Sequence, residues 1–180
     1  MREHEIVNVS LTIIFATLYT VLVIIFAPIS FQVMQVRVAD ALLPISIIFG
    51  WPAIIGMTVG AFISNFFGGL GFIDMLGGAL ANFLATYVAW KLGKKQLTGI
   101  WLIAVIFEIL LVTIIVGSYL SYLFGIHFTL SLLAVLLGST MSMGVMGYPL
   151  LLALSRQSII KVLKPRGVKL YIKKKSECAL

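Results

Sequence analysis

The sequence has 180 residues, of which 61% are hydrophobic and only 11% are charged, and its mean hydropathy is +1.14. A soluble domain is typically about 45–50% apolar and about 25% charged, and a water-soluble fold of this size exposes too much surface for so few charges to cover. The composition therefore excludes a soluble globular domain. It predicts an all-α polytopic membrane protein, a bundle of about six transmembrane helices.

Apolar runs of the length that a spanning helix needs, about 20 residues, follow one another along the chain. The run 41–67 is long and is interrupted by Gly50-Trp51-Pro52. Proline removes a backbone donor and keeps the preceding residue out of helical geometry, so we predict a short helix before this break and a second helix after it. The segment 29–39 is too polar to cross and is predicted to be a loop on the bilayer or over the bundle. The predicted helices are 10–27, 41–50, 52–67, 74–90, 100–124 and 129–155, the last with a kink at Pro149.

The basic residues are concentrated at the end of the chain. From Arg156 onward there are eight Lys or Arg and one acid, Glu177, whereas the preceding residues hold five bases and five acids. We expect the chain to lie in the cell (plasma) membrane. Cytoplasmic loops carry the excess of bases, so a topology of six spans places both termini and the lysines of 91–95 in the cytoplasm. A topology of five spans keeps the main basic clusters inside as well. The count of six therefore depends on Pro52 and on the length of the apolar run 41–67. We predict a transmembrane domain, 1–155, and a basic cytoplasmic tail, 156–180, that attracts anionic lipid.

Polar residues within apolar sequence are the candidates for function, because a charge at bilayer depth costs roughly 2.5–3.5 kcal/mol on insertion scales. Structural alternatives stay open for most of them: an ion pair or a cap for Arg37 and Asp40, helix caps for Asn65 and Asp74, and pairing or an interfacial position for Glu108. In the six-helix topology several lie toward the outer face, which suits a small polar ligand better than a lipid. The candidate substrate-binding residues are Arg37, Asp40, Asn65, Asp74, Asn82 and Glu108.

Small residues recur every four positions and so share a helix face. Such faces let helix backbones approach closely in lipid. In 52–67 and 74–90 we interpret them as internal packing. In the first helix, Thr12, Ala16 and Thr20 form a small face that is the candidate interface with a partner protein.

The sequence lacks the motifs of several function classes. It contains no GxxxxGK[ST], HExxH or GxSxG pattern, so we predict no ATP binding by a P-loop, no catalytic residue, no metal site, no cofactor and no enzymatic activity. The sequence has no RNA-binding module and no repeated interleaving of aromatic residues with the bases, which argues against nucleic acid as a partner. Cys178 is the single cysteine, so no intrachain disulfide forms.

Three motifs within residues 32–85 carry a resemblance. They are VRVADAL with Arg37 and Asp40, GxxxGAFISN with Asn65, and GFIDMLGGALANFLA with Asp74 and Asn82. In this order they resemble the QueT family of membrane proteins, which look like substrate-binding (S) components of energy-coupling factor (ECF) transporters. The resemblance implies an ECF S-component-like bundle that binds a queuosine precursor, a 7-deazaguanine such as preQ0 or preQ1, from outside.

The resemblance also implies partners and a binding chemistry. One transmembrane coupling protein and two ATPase subunits would drive ATP-dependent uptake. Family members of this type often present an AxxxA-like face on the first helix to the coupling protein, and here Thr12, Ala16 and Thr20 supply small residues but not two alanines. The ring N–H and amino donors of a 7-deazaguanine suit the carboxylate of Asp40, Asp74 or Glu108, with Asn65 or Asn82 bonding to O6. Two alternative functions stay open: a self-sufficient secondary transporter or channel, and an S component for another vitamin-like substrate.

Overall fold

The computed structural model describes residues 3–31, 36–95 and 99–172. Every regular element in these ranges is a helix, and five helices of the described chain are long and apolar enough to cross a membrane. The predicted all-α polytopic bundle is confirmed. The elements are α1 (Glu3–Ile25), α2 (Ala27–Ser30), a 3-10 segment (Val38–Ile45) continued by α3 (Ser46–Phe49), α4 (Trp51–Gly68), α5 (Phe72–Gly93), α6 (Ile100–Phe124), α7 (Phe128–Ser139) continued by a π segment (Thr140–Gly147) and α8 (Tyr148–Leu154), α9 (Gln157–Leu163), and a 3-10 turn (Lys164–Arg166).

The predicted break between the second and third helices occurs at Gly50. This residue has φ +65° and ψ −132°, a backbone conformation that a side chain with a Cβ rarely adopts. Pro52 lies in the first turn of α4, where its missing N–H would have no helical partner. The helix before the break, Val38–Phe49, is called here the short inner helix. It has 8 residues in 3-10 and 4 in α conformation, which gives a length of about 22 Å.

The short inner helix connects the two ends of the bundle. At its start, Arg37 donates a hydrogen bond to Asn65 near the end of α4. At its finish, Ile48 accepts a hydrogen bond from the backbone of Tyr171, which follows α9. The described chain therefore runs between the two ends six times, five times as a helix long and apolar enough to cross a membrane and once as the short inner helix. The predicted count of six membrane spans stays a prediction. We call the end with Arg37 the site end and the opposite end, which includes Lys91, Lys94 and 156–169, the basic end.

Both described termini lie at the basic end. Nδ1 of His4, in the first turn of α1, is 3.3 Å from the carbonyl oxygen of Gly167. An even number of passes requires this arrangement.

Glycines allow α1 and α4 to pack closely. A Cβ at Gly56 would lie 2.6 Å from the carbonyl oxygen of Thr12, and one at Gly60 would lie 2.8 Å from that of Ala16. Thr20 Oγ1 also donates to the Gly60 carbonyl, at 3.2 Å. The internal packing role predicted for the α4 glycines is confirmed. Thr12, Ala16 and Thr20 are half-buried in this contact, and their role toward a partner protein stays a prediction.

A π segment ends at Gly147, just before Pro149, the position of the predicted kink. Pro149 is in the first turn of α8, and a proline ring clashes with the carbonyl four residues earlier, which favours a locally wider helix. A Cβ at Gly147 would lie 2.8 Å from the carbonyl oxygen of Ala41. The π segment and the 3-10 segment are therefore in direct backbone contact inside the bundle.

Part of the predicted basic tail folds onto the bundle. Val168 is buried, and the backbone N–H of Tyr171 donates to Ile48, at 2.9 Å. The Tyr171 ring lies 5.4 Å from that of Trp90, and Lys94 Nζ is 3.4 Å from the Trp90 ring centre. Residues 173–180, with Cys178, lie outside the described residues, and the domain boundary at 155 stays a prediction.

Candidate functional site

Five of the six predicted binding residues come together in a buried cluster at the site end. They come from three elements: two residues are at the start of the short inner helix, one is late in α4 and two are in α5. Each is at most 6% exposed to solvent. The members are Arg37, Asp40, Asn65, Asp74 and Asn82.

Asn65 connects Arg37 to α5. Arg37 Nη2 donates to Asn65 Oδ1 at 3.0 Å, and Asn65 Nδ2 donates to the backbone carbonyl of Asp74 at 2.8 Å. Gly78 allows this arrangement, because a Cβ there would collide with the Asn65 amide. The alternative interpretation of Asn65 as a C-terminal cap of its own helix is wrong, since its amide bonds to the next helix.

Two tyrosines hold the aspartates of the cluster. Tyr19 donates its hydroxyl to Asp40 Oδ1 at 2.5 Å, and Tyr119 donates to Asp74 Oδ1 at 2.9 Å. Neither helix start has a side-chain cap hydrogen bond, so the capping interpretations of both aspartates are wrong. Sequence reasoning missed the tyrosines. The available signal was that a phenol hydroxyl within an apolar span needs a partner.

Arg37 supplies the positive charge of the cluster. A guanidinium is not deprotonated in proteins, so Arg37 stays a cation. Its Nε is buried and has no hydrogen-bond partner among the described residues. The Phe31 ring lies on the guanidinium, with its centre 5.7 Å from Cζ.

Asn82 faces a small cavity next to Arg37 and Asp40. The cavity has a volume of about 10 Å³, which is room for about one water molecule. Its remaining described walls come from α6 and α7. These walls are Val112, Val116, Val135 and Ser139. The cavity combines a cation, a carboxyl, an amide and a hydroxyl with an apolar wall, but it is closed to any organic ligand in this conformation.

Glu108 lies outside this cluster but on the helix face that borders the cavity. It precedes Val112 and Val116 by one and two turns, so the three side chains share a stripe of α6. Glu108 is fully buried, and neither of its carboxyl oxygens has a hydrogen-bond partner in the described chain. The predicted alternatives of an interfacial position and of structural pairing are therefore wrong for this residue. Buried polar groups without partners are uncommon and need an explanation.

The comparisons with known proteins agree with the membrane architecture. The family model described as QueT transporter matches residues 9–156, a range that contains the whole cluster and Glu108. No curated protein and no solved structure matches the chain. The family match covers well over half of the sequence, and the chain therefore belongs to the QueT transporter family.

Proposed function

We propose that the chain is the substrate-binding (S) component of an ECF-type importer and that its buried cluster binds a queuosine precursor, a 7-deazaguanine such as preQ0 or preQ1. The observation that carries this proposal is the convergence of Arg37, Asp40, Asn65, Asp74 and Asn82 on one interior site. Intramembrane ionisable residues are rare and mark substrate pathways in transporters. Membership of a transporter family supports the same function.

The unpaired atoms of the site match the polar edge of a 7-deazaguanine. Asp74 Oδ2 and both oxygens of Glu108 accept no hydrogen bond from the described residues. A carboxylate can accept the ring N–H and the exocyclic amino group of such a base together. The hydrogen bond from Asn82 Nδ2 to the Met57 carbonyl is long, at 3.5 Å, and we assign this donor to O6 of the substrate.

Binding requires the site to enlarge. Pockets for small organic molecules occupy roughly 300–1,000 Å³, whereas the present cavity is about 10 Å³. Because Glu108 is one turn from Val112 along the same stripe, enlargement toward the basic end brings its carboxyl into the wall. We place Asp40 and Asn82 in the first contact with substrate and Glu108 at the far end of the enlarged pocket.

The orientation and the energy source complete the proposal. Basic residues collect on the cytoplasmic side, which places the basic end and both termini inside and the site end outside. The sequence contains no P-loop motif, so ATP hydrolysis is assigned to two separate ATPase subunits that act through a transmembrane coupling protein. The small residues Thr12, Ala16 and Thr20 of α1 remain the proposed contact with that protein.

Uptake of radiolabelled preQ1 into proteoliposomes tests the proposal. We expect no accumulation with the chain alone, and ATP-dependent accumulation when the coupling protein and both ATPase subunits are present. Unlabelled preQ0 should compete, whereas vitamins of unrelated shape should not. Accumulation driven by a proton gradient with the chain alone would contradict the S-component assignment and favour a secondary transporter.

A further inference from the structure

A second cavity lies at the basic end, between the start of α1 and the turn that follows α9. It has a volume of about 600 Å³, within the roughly 300–1,000 Å³ range of small-molecule sites. His4, Ile6 and Val7 of α1 form one wall, and residues 164–167 form the other. We call this cavity the basic groove.

The second wall of the basic groove carries its positive charge. Lys164 and Arg166 belong to the 3-10 turn, and none of the described residues that line the groove is acidic. Gly167 has φ +77° and ends this turn, and its carbonyl oxygen is 3.3 Å from Nδ1 of His4. The turn is thereby held against α1, and two cations are among the residues that line the cavity.

The first wall continues into the lipid-facing surface of the bundle. Ile6, Val9 and Ile13 are 51%, 50% and 60% exposed, and their spacing places them along one side of α1. Ile6 belongs both to this stripe and to the basic groove. A ligand in the groove is therefore next to two cations at one end and next to an apolar, membrane-facing stripe at the other.

We propose that the basic groove binds an anionic phospholipid, with the headgroup phosphate between Lys164 and Arg166 and an acyl chain along the Ile6–Val9–Ile13 stripe. A phosphate oxygen accepts charge-assisted hydrogen bonds from both cations. The apolar stripe favours a lipid over a free phosphate ion, which would leave that stripe unused. A lipid bound here bridges α1 and the segment after α9, and so joins the two described termini. This proposal does not depend on the identity of the transported substrate.

Native mass spectrometry of the full chain, titrated with palmitoyl-oleoyl phosphatidylglycerol, tests the proposal. The informative variant is Lys164→Gln/Arg166→Gln. The matched control is Lys91→Gln/Lys95→Gln, which removes the same charge from the basic end but does not touch the groove. We expect one tightly retained lipid on the wild type and on the control, and binding about 30-fold weaker in the groove variant, since each base near a membrane surface contributes about 1 kcal/mol.

Three results would overturn the proposal. Equal weakening in both double variants would show diffuse surface charge, and unchanged binding in the groove variant would show that the groove is not used. Displacement of the lipid from wild-type protein by millimolar inorganic phosphate would show a free-anion site. Dihexanoyl phosphatidylglycerol supplies a further check that needs no variant: it should bind more weakly than the long-chain lipid, and equal affinity would contradict the acyl contact.

Discussion

Tyr119→Phe isolates one hydrogen bond of the buried cluster. The Tyr119 hydroxyl donates to Asp74 Oδ1 at 2.9 Å, and Asp74 Oδ2 has no partner among the described residues. The Tyr119 ring packs against Gly77, where a Cβ would lie 2.7 Å from Cε1. Phenylalanine keeps this packing and removes only the hydroxyl, so the variant leaves the Asp74 side chain, which is fully buried, without this hydrogen bond.

The expected loss of stability follows from that geometry. A hydrogen bond to a charged group contributes roughly 1.5–3 kcal/mol, and an unsatisfied buried group adds its desolvation cost. The free energy of unfolding should therefore fall by about 1.5–3 kcal/mol or more. Asp74→Asn should reduce the effect of Tyr119→Phe, because an amide in place of the carboxyl weakens the interaction that is lost.

Unfolding in mixed micelles of increasing SDS content measures these free energies. Tyr122→Phe is the control, since Tyr122 is on the same helix but is 78% exposed and should be neutral. A double-mutant cycle for Tyr119 and Asp74 should give a coupling energy of about 1 kcal/mol or more. If the two single changes add within about 0.5 kcal/mol, or if Tyr119→Phe behaves like Tyr122→Phe, the hydrogen bond does not stabilise the cluster.

Three further changes have defined outcomes. Glu108→Gln removes a buried carboxyl that has no partner among the described residues, so SDS titration should find the ligand-free chain at least as stable as the wild type. Its affinity for preQ1, measured by calorimetry, should fall about tenfold or more, and unchanged affinity would exclude Glu108 from the site. Gly60→Val places its Cβ 2.9 Å from that of Tyr19 and should cost about 1–3 kcal/mol and weaken preQ1 binding, whereas Val59→Ala on the exposed side should leave binding unchanged. Gly50→Ala, at φ +65°, should cost about 1–3 kcal/mol of unfolding free energy, and a neutral result would contradict the strained break in the chain.

The helices were predictable because lipid imposes a simple rule on the sequence. A span must be apolar over its length and must make its backbone hydrogen bonds within itself. Long apolar runs such as 100–124 therefore predict spanning helices directly. Pro52 marked the break correctly for the same local reason. The 3-10 conformation of the short inner helix was not predicted, although Pro44 lies within it and removes a backbone donor. Its contact with Gly147, more than one hundred positions away along the chain, does not follow from the local sequence.

The sequence indicated which residues form the site but not which residues they bond to. Arg37, Asp40 and Asp74 attracted notice because charged groups are costly within apolar sequence. Local capping rules then suggested partners near in sequence, and these were wrong. The actual partners of the two aspartates, Tyr19 and Tyr119, are 21 and 45 positions distant, and only the packing of the helices brings them together. The closed state of the cavity likewise depends on the assembled bundle.

Calorimetric titration of preQ1 into the detergent-solubilised chain tests the central claim, that the buried cluster is the substrate site. We expect one molecule bound per chain in the wild type and in Tyr122→Phe. Asp40→Asn and Asp74→Asn should each weaken binding about tenfold or more, because each replaces a carboxylate acceptor by an amide. Wild-type affinity in both aspartate variants would contradict the claim and would move the binding site elsewhere in the bundle.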